Sequence, residues 1–547
     1  MIKSIILFAF FLLVATTVSF SQDKFDAKIR WGEPIRMKKK EIGPNPIGIT
    51  NNTFYATKSK KSKTYFKAKK SKTYLQEFDL KTLSLKAENE LNLTYNKFKL
   101  RIVSNFVFGE NIVFITSYID NKAGKKYYLL HKLKKFGVLS KPIELGQVAW
   151  SKRKIVSTAS AAKKRSKSGA YSFKFIVSDN SKIMMISYKT AESDDLITVL
   201  FDEDMEVVNR GKLRIPFDLY TTLTGKLSNS GQFYSIGYQF VKEETGGIIK
   251  STKITPTTYH LITYDAVEGE VDDEELSLDH DISSVGLKIM DDESLIAYGM
   301  YSKESAIGVT GSFFMRINSG EATDFVVSNE FEEDFITQHW TARQKKKADK
   351  KKNKKNPKKK KTPSLYSYVI HDLVIKENGD LMLLAEQYYM YVTSHTYTDA
   401  NGHSHTTYTY HYIYNDIIAV NCSNDGEITW KQKIKKRQHS INDHGYLSSF
   451  FTMVQDDNVF LIYNDRESNM DDTEEEIKGK RKVKKNTVAA VITLGPDGEM
   501  SRNTLFDFEG ELRRTLIPKR CRQMSENEIL IYSQGNKRSK ILGWVTL

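Results

Sequence analysis

The stretch GENIVFITSY, residues 109–118, is a polar turn followed by a strand of alternating apolar and aromatic residues. The same phrase recurs seven more times. It appears as NNTFYAT from Asn51, DNSKIMMISY from Asp179, NSGQFYSIGY from Asn229 and DDESLIAYGMY from Asp291. It returns as NGDLMLLAEQYY from Asn378, DDNVFLIYND from Asp456 and SENEILIYSQ from Ser525. Asn, Asp and Gly tolerate the left-handed backbone angles of tight hairpin turns. The β-branched and aromatic residues after them suit a pleated surface. The copies lie about 68 residues apart, longer than the roughly 40 to 50 of compact propeller repeats, so each unit must carry insertions.

A second turn recurs downstream, as in CSNDGEITWKQKI (422–434) and LGPDGEMSRNTLF (494–506). Each unit therefore reads as four antiparallel strands, the blade of a β-propeller. Helix signals are nearly absent, so the fold class expected is all-β: eight blades, with seven as the alternative. The eighth unit ends after three strands, PKRCRQM, EILIYSQ and ILGWVTL. The isolated segment Ala27–Met37 is expected to supply its outer strand beside Leu542–Leu547, satisfying both edges.

Residues 1–21 read as a secretory signal, with Lys3 before an apolar run from Ile5 to Val18 and small residues at Ser19 and Ser21. Residues 22–547 then form one exported domain, with no later stretch apolar enough to cross a bilayer. Two cysteines, Cys422 and Cys521, make no disulfide framework and are expected to be small buried thiols.

The chain carries 83 Lys and Arg against 67 Asp and Glu, a net charge of +16. Three insertions hold more than that. Lys58–Lys72 includes Lys60, Lys61, Lys69 and Lys70. The segment 152–167 includes Lys152, Arg153, Lys154, Lys163, Lys164 and Arg165. The run KKKADKKKNKKNPKKKK, 345–361, includes Lys345, Lys346, Lys347, Lys358, Lys359 and Lys360. Together they contribute +26, leaving about −10 for the rest. In a propeller such insertions share the face opposite the short turns. The expectation is a basic docking face, with 341–363 a disordered loop; the plainer alternative is a set of solvated loops.

Residues 388–416, YYMYVTSHTYTDANGHSHTTYTYHYIYND, alternate strictly and turn at Asp399–Gly402, so a projecting hairpin is expected. Tyr397, Tyr408 and Tyr410 are its contact residues, being large and stiff with a polar tip. His403 and His405 share one side and could hold zinc or copper if His395 or His411 came close, although no metal is assigned. No nucleophile elbow, phosphate loop or H-E-x-x-H occurs, and no cofactor is expected.

SNDGEITW (423–430) is similar to the Asp-box turn of sialidase propellers, one residue short. AVNCSNDGEITW (419–430) resembles the Ala-x-Asp…Gly-x-x-x-Trp turn of quinoprotein propellers. Both are structural turns in those families. The chain from residue 22 resembles eight-bladed, quinoprotein-like propellers, and its leader resembles those of Gram-negative exported proteins. The resemblance implies a periplasmic or cell-surface binding scaffold; with the enzyme motifs missing, the expectation is a non-enzymatic protein, alone or in a larger envelope complex. Its partner would be an envelope protein or a polyanionic surface polymer. Lysine-dominated runs with little arginine-aromatic interleaving argue against nucleic acid. The alternative is a hydrolase or lyase with its active site in the central channel.

Overall fold

The computed structural model describes residues 25–60, 72–134, 137–150, 174–189, 195–217, 219–245, 251–276, 280–303, 308–317, 325–353, 363–470, 487–507 and 514–547. The expected leader lies outside them. Eight antiparallel sheets with four strand positions each follow one another along the chain. The first seven are simple meanders over residues 41–90, 101–149, 174–213, 220–276, 281–330, 368–441 and 451–507. A two-stranded ribbon, Thr94–Tyr95 with Phe98–Lys99, lies between the first two.

The eighth sheet is made from both ends of the described chain. Lys28–Trp31 pairs with Thr546 back to Gly543, and Ile35–Arg36 pairs with Lys540 and Ser539. Phe25, Ile29 and Trp31 pack on the cluster containing Leu516, Ile529 and Val545. The innermost strand departs from the continuous PKRCRQM strand expected from sequence. It is split into Thr515–Leu516 and Arg522–Ser525, with a 3-10 turn at Pro518–Arg520 between them. Pro518 has no N–H to give the ladder and its fixed φ suits the start of a helical turn.

The eight apolar clusters each join neighbouring sheets. Phe108 and Leu130 of the second sheet meet Ile186, Val199 and Phe201 of the third. Phe54 and Phe78 of the first sheet meet Leu530, Tyr532 and Leu542 of the eighth. The other pairs of consecutive sheets follow the same plan. First strands of several neighbouring sheets also touch, as strands nearest a common axis do.

Tyrosine hydroxyls fasten sheet to sheet. Tyr188 donates to Leu145 O of the preceding sheet at 3.1 Å, and fully buried Tyr264 meets Thr198 Oγ1 at 2.9 Å. Glycine makes room for both rings. A Cβ on Gly146 would collide with the Tyr188 hydroxyl, and one on Gly211 would collide with that of Tyr264. The short-turn face is stitched by bonds between adjacent turns: Thr50 to Glu110 O, Gly109 N to Ser181 O, Asn180 N to Asn229, Asn378 N to Asp457 and Gln455 to Asn527.

Helix is the second departure. Glu333–Thr337 (α1) and Ala342–Lys352 (α2) are α-helical, where the lysine run reads as a disordered loop. Ala, Arg, Gln and Lys are good helix formers. Thr341 and Gln344 make a reciprocal capping box, and Lys350–Lys352 sit at the negative end of the helix dipole. These terms oppose the like-charge repulsion within the run. Both cysteines are buried and free. Burial pushes the Cys521 thiol up to about 12 and that of Cys422 higher.

Candidate functional site: the insertion face

Strands alternate direction, so the hairpins joining second to third strands share one face with the connections between sheets. Two large features of that face stand at the sixth sheet, one within it and one in the connection that leads into it. The first is the hairpin of Leu381–Thr398 and Ser404–Cys422, paired from Leu381↔Cys422 to Thr398↔Ser404. Gly402 takes the left-handed turn position, φ 78°. Ile428–Ile441 accompanies the hairpin as far as His411↔Ile441, and beyond that two strands run alone.

The register divides the ribbon's residues between two sides, because directly opposed residues share a side. Tyr391, His395 and Tyr397 lie with His405 and His411 on one. Met390 and Val392 lie with Tyr408 and Tyr410 on the other. The three contact tyrosines singled out from sequence are therefore not one patch: Tyr397 faces away from Tyr408 and Tyr410. All three are exposed, Tyr408 the most at 61%.

His403 and His405 both turn to Asp399, at 3.6 and 2.8 Å. The His405 contact, with the His403 backbone N–H, holds the Asp399 carboxyl below its usual range. His411 instead meets His439 at 3.1 Å and Thr393 at 2.9 Å. Among the described residues no group of three His, Cys, Asp or Glu side chains is placed to hold a metal.

A buried polar network fixes the root of the hairpin. Lys436 Nζ donates to Glu386 Oε1 at 2.6 Å, and Ser449 Oγ donates to Glu386 Oε2 at 2.7 Å. The two charged side chains are 0% and 5% exposed. Lys436 also reaches Tyr414 O and Gln438 Oε1, each at 3.3 Å. Every group here has a partner, which keeps such a network from being a liability.

The second feature is the pair of helices. Lys433 Nζ, buried, donates to Ile336 O at 3.1 Å; Lys431 meets Glu332 at 2.6 Å; Ile336 packs into the core between the fifth and sixth sheets. Lys352 at the end of α2 returns to Glu333 at 2.6 Å. His339, between the helices, meets Asp416 of the hairpin at 3.1 Å. The helix carrying Lys345, Lys346 and Lys347 and the hairpin thus share one root.

The remaining basic candidates fare differently. Lys60 is exposed where the first sheet's second strand ends. Lys58 and Lys72, read from sequence as part of the same loop, lie in strands and are not free charge: they pair with Glu88 and Glu90, each at 2.6 Å. Lys61, Lys69, Lys70, Lys152, Arg153, Lys154, Lys163, Lys164, Arg165, Lys358, Lys359 and Lys360 lie outside the described residues. Sequence reading missed a second long hairpin on this face, Gln232–Thr245 with Ser251–Asp265, signalled by Gly246–Gly247 between two alternating runs. It also missed Lys519, Arg520 and Lys540, which gather on the eighth sheet around Tyr414 and Tyr446.

The SNDGEITW turn serves packing. Gly426 lies against Val327 and Phe314 of the fifth sheet, and Trp430 Nε1 donates to Pro496 O of the seventh at 2.6 Å.

No family model matches the chain, and no curated protein matches it. Solved structures similar to it include the β-propeller domain of the Trilobed protease from Pyrococcus furiosus, at 10% identity and TM-score 0.31, covering 85% of this chain and 98% of that one. Polysaccharide lyase Uly1 is similar at 9% and 0.34, covering 92% and 90%. So is prolyl oligopeptidase B from Galerina marginata, at 9% and 0.35, where 94% of this chain matches 55% of that one. At such identities nothing about activity transfers. The succession of four-stranded antiparallel sheets, each packed on the next, follows the blade plan of a β-propeller.

Proposed function

We propose that this chain is an exported, non-enzymatic propeller scaffold that binds an anionic partner at the cell envelope through its insertion face. One observation carries the reading: α2, with six lysines against Asp349, is rooted beside an exposed tyrosine-bearing hairpin through His339–Asp416 and α1. A cationic helix next to stiff amphipathic rings gives both steering and contact area. The runner-up, a channel hydrolase or lyase, needs converging acids on the innermost strands. Among the described residues those strands carry Glu41, Asp281 and Asp372, and Glu41 is engaged by Lys58 at 3.9 Å. We infer as well that the eight sheets are blades closing into one ring, with the N-terminal strand as the clasp. Mature protein with and without residues 341–363 is used to capture partners from envelope extract across a salt series. The full chain should retain a partner whose yield falls steeply with salt, because lysine contacts release counterions. Equal capture and equal salt dependence by the shortened chain would refute the reading.

A further inference from the structure

We propose that Arg520 and Lys540 of the eighth sheet form a binding site for a single oxyanion, a sulfate or carboxylate group, with the Tyr446 hydroxyl as a further donor. The site lies on other elements than α2 and the hairpin, and it stands or falls independently of them.

Its origin is the break in the innermost strand. The 3-10 turn at Pro518–Arg520 lifts Lys519 and Arg520 out of the ladder toward the segment 443–446 that enters the seventh sheet. Arg520 donates through Nη1 to Pro44 O and through Nη2 to Asn45 Oδ1, both at 3.2 Å. Its guanidinium carbon stands 5.3 Å from the Tyr446 ring centre and 5.7 Å from that of Tyr532. Lys540 Nζ donates to Tyr446 Oη at 2.9 Å and Gln534 Oε1 at 2.8 Å, and sits 4.6 Å from the same Tyr446 ring.

These groups are half-buried, and among the described residues neither cation has a carboxylate within 4.0 Å. The acids of the neighbourhood, Asp443 and Glu386, act on Lys519 instead. Lys519 itself is held by Tyr414 Oη at 2.8 Å and Gly445 O at 3.2 Å. Burial, followed by the like charge of Arg520, pulls the Lys540 ammonium down to about 8. Two cations sharing one ring without an anion is a costly arrangement.

The donor inventory gives the ligand class. Lys540 has three N–H groups and uses two. The guanidinium has five, gives two to Pro44 O and Asn45 Oδ1 and also meets the Tyr532 hydroxyl, leaving two. The Tyr446 oxygen accepts from Lys540, leaving its proton to give. The site therefore offers donors and positive charge, which a planar carboxylate or tetrahedral sulfate satisfies through the guanidinium fork.

Competitive acylation tests this. At pH 8 a trace of acetic anhydride labels the neutral fraction of each lysine, and peptide mass spectrometry reads Lys540 against the exposed lysines as internal controls. Sodium sulfate, sodium acetate and sodium chloride are compared at equal ionic strength. Sulfate or acetate should slow labelling of Lys540 roughly threefold when present at twice its Kd, leaving the controls unchanged. Whichever anion protects identifies the group. The protection should vanish in Arg520→Gln. As a second measure that does not depend on that variant, sulfate should raise the melting temperature above matched chloride in the native protein but not in Lys540→Met. No selective protection by either anion, or protection undiminished in Arg520→Gln together with an undiminished sulfate gain in Lys540→Met, would overturn the site.

Discussion

Removing the ammonium of Lys436 is the sharpest test of how the hairpin is held. The Lys436→Met variant keeps most of the side chain's volume and leaves Glu386, 5% exposed, with Ser449 Oγ as its remaining donor. Breaking one partner of a buried pair costs about 3–5 kcal/mol, because the other charge stays buried and uncompensated. Entropies of unfolding near 2.1 cal/mol/K per residue give roughly 1 kcal/mol/K for a domain of this size, so the melting midpoint should fall by about 3–5 °C. The double variant Lys436→Met/Glu386→Leu removes both charges and should recover most of that loss. Calorimetry or circular dichroism of the single and double variants closes the cycle. A single variant within about 0.5 kcal/mol of the native protein, or a double variant no better than the single, would refute this account of the root.

Gly211→Ala drives a Cβ toward the buried Tyr264 hydroxyl and should cost about 1–3 kcal/mol in denaturant unfolding, with Tyr264→Phe relieving part of it. Deleting residues 25–37 strips Ile29 and Trp31 from their cluster and bares the last strand's edge; stability should drop by about 3–6 kcal/mol and self-association should appear in sedimentation. His131 donates through Nδ1 to Ser140 O and accepts at Nε2 from Thr116, and His371 stacks on Phe450; burial lowers both. The unfolded chain then binds more protons than the folded one below about pH 6.5, so stability is full above that value and declines as pH falls through it. Replacing both by Asn should flatten the decline between pH 7 and 5 measured by thermal unfolding. Tyr408→Ser and Tyr410→Ser should weaken partner capture together in a salt-insensitive way, whereas Tyr397→Ser, on the opposite side, should act separately.

Strands and turns were legible because their signals are local. Alternation has a period of two, and Asn, Asp and Gly mark the turns, as at Asn51, Asn52 and Gly379, which take positive φ. The hairpin at 388–416 declared itself for the same reason. The helix at Ala342–Lys352 did not, because charge dominates the composition while its start signal, Thr341-x-x-Gln344, is only four residues long. The Arg520–Lys540–Tyr446 cluster is illegible in principle. Its members lie on segments that meet only when the seventh and eighth sheets dock, and the turn at Pro518 that exposes Arg520 interrupts an otherwise strand-like run.

The pairing of Lys28–Trp31 with Gly543–Thr546 sets an order of events. Bringing such distant ends together in a free chain would cost about 5–6 kcal/mol of loop entropy, scaling as (3/2)RT ln n. Sheets that stack one after another spread that cost over many short closures, so the final gap is narrow when the last strand arrives. The earliest strand cannot complete its sheet until the chain's last strand is in place. A permuted chain that begins at Glu41 and carries residues 25–37 after Leu547 would abolish that wait, and it should refold faster while reaching the same final stability.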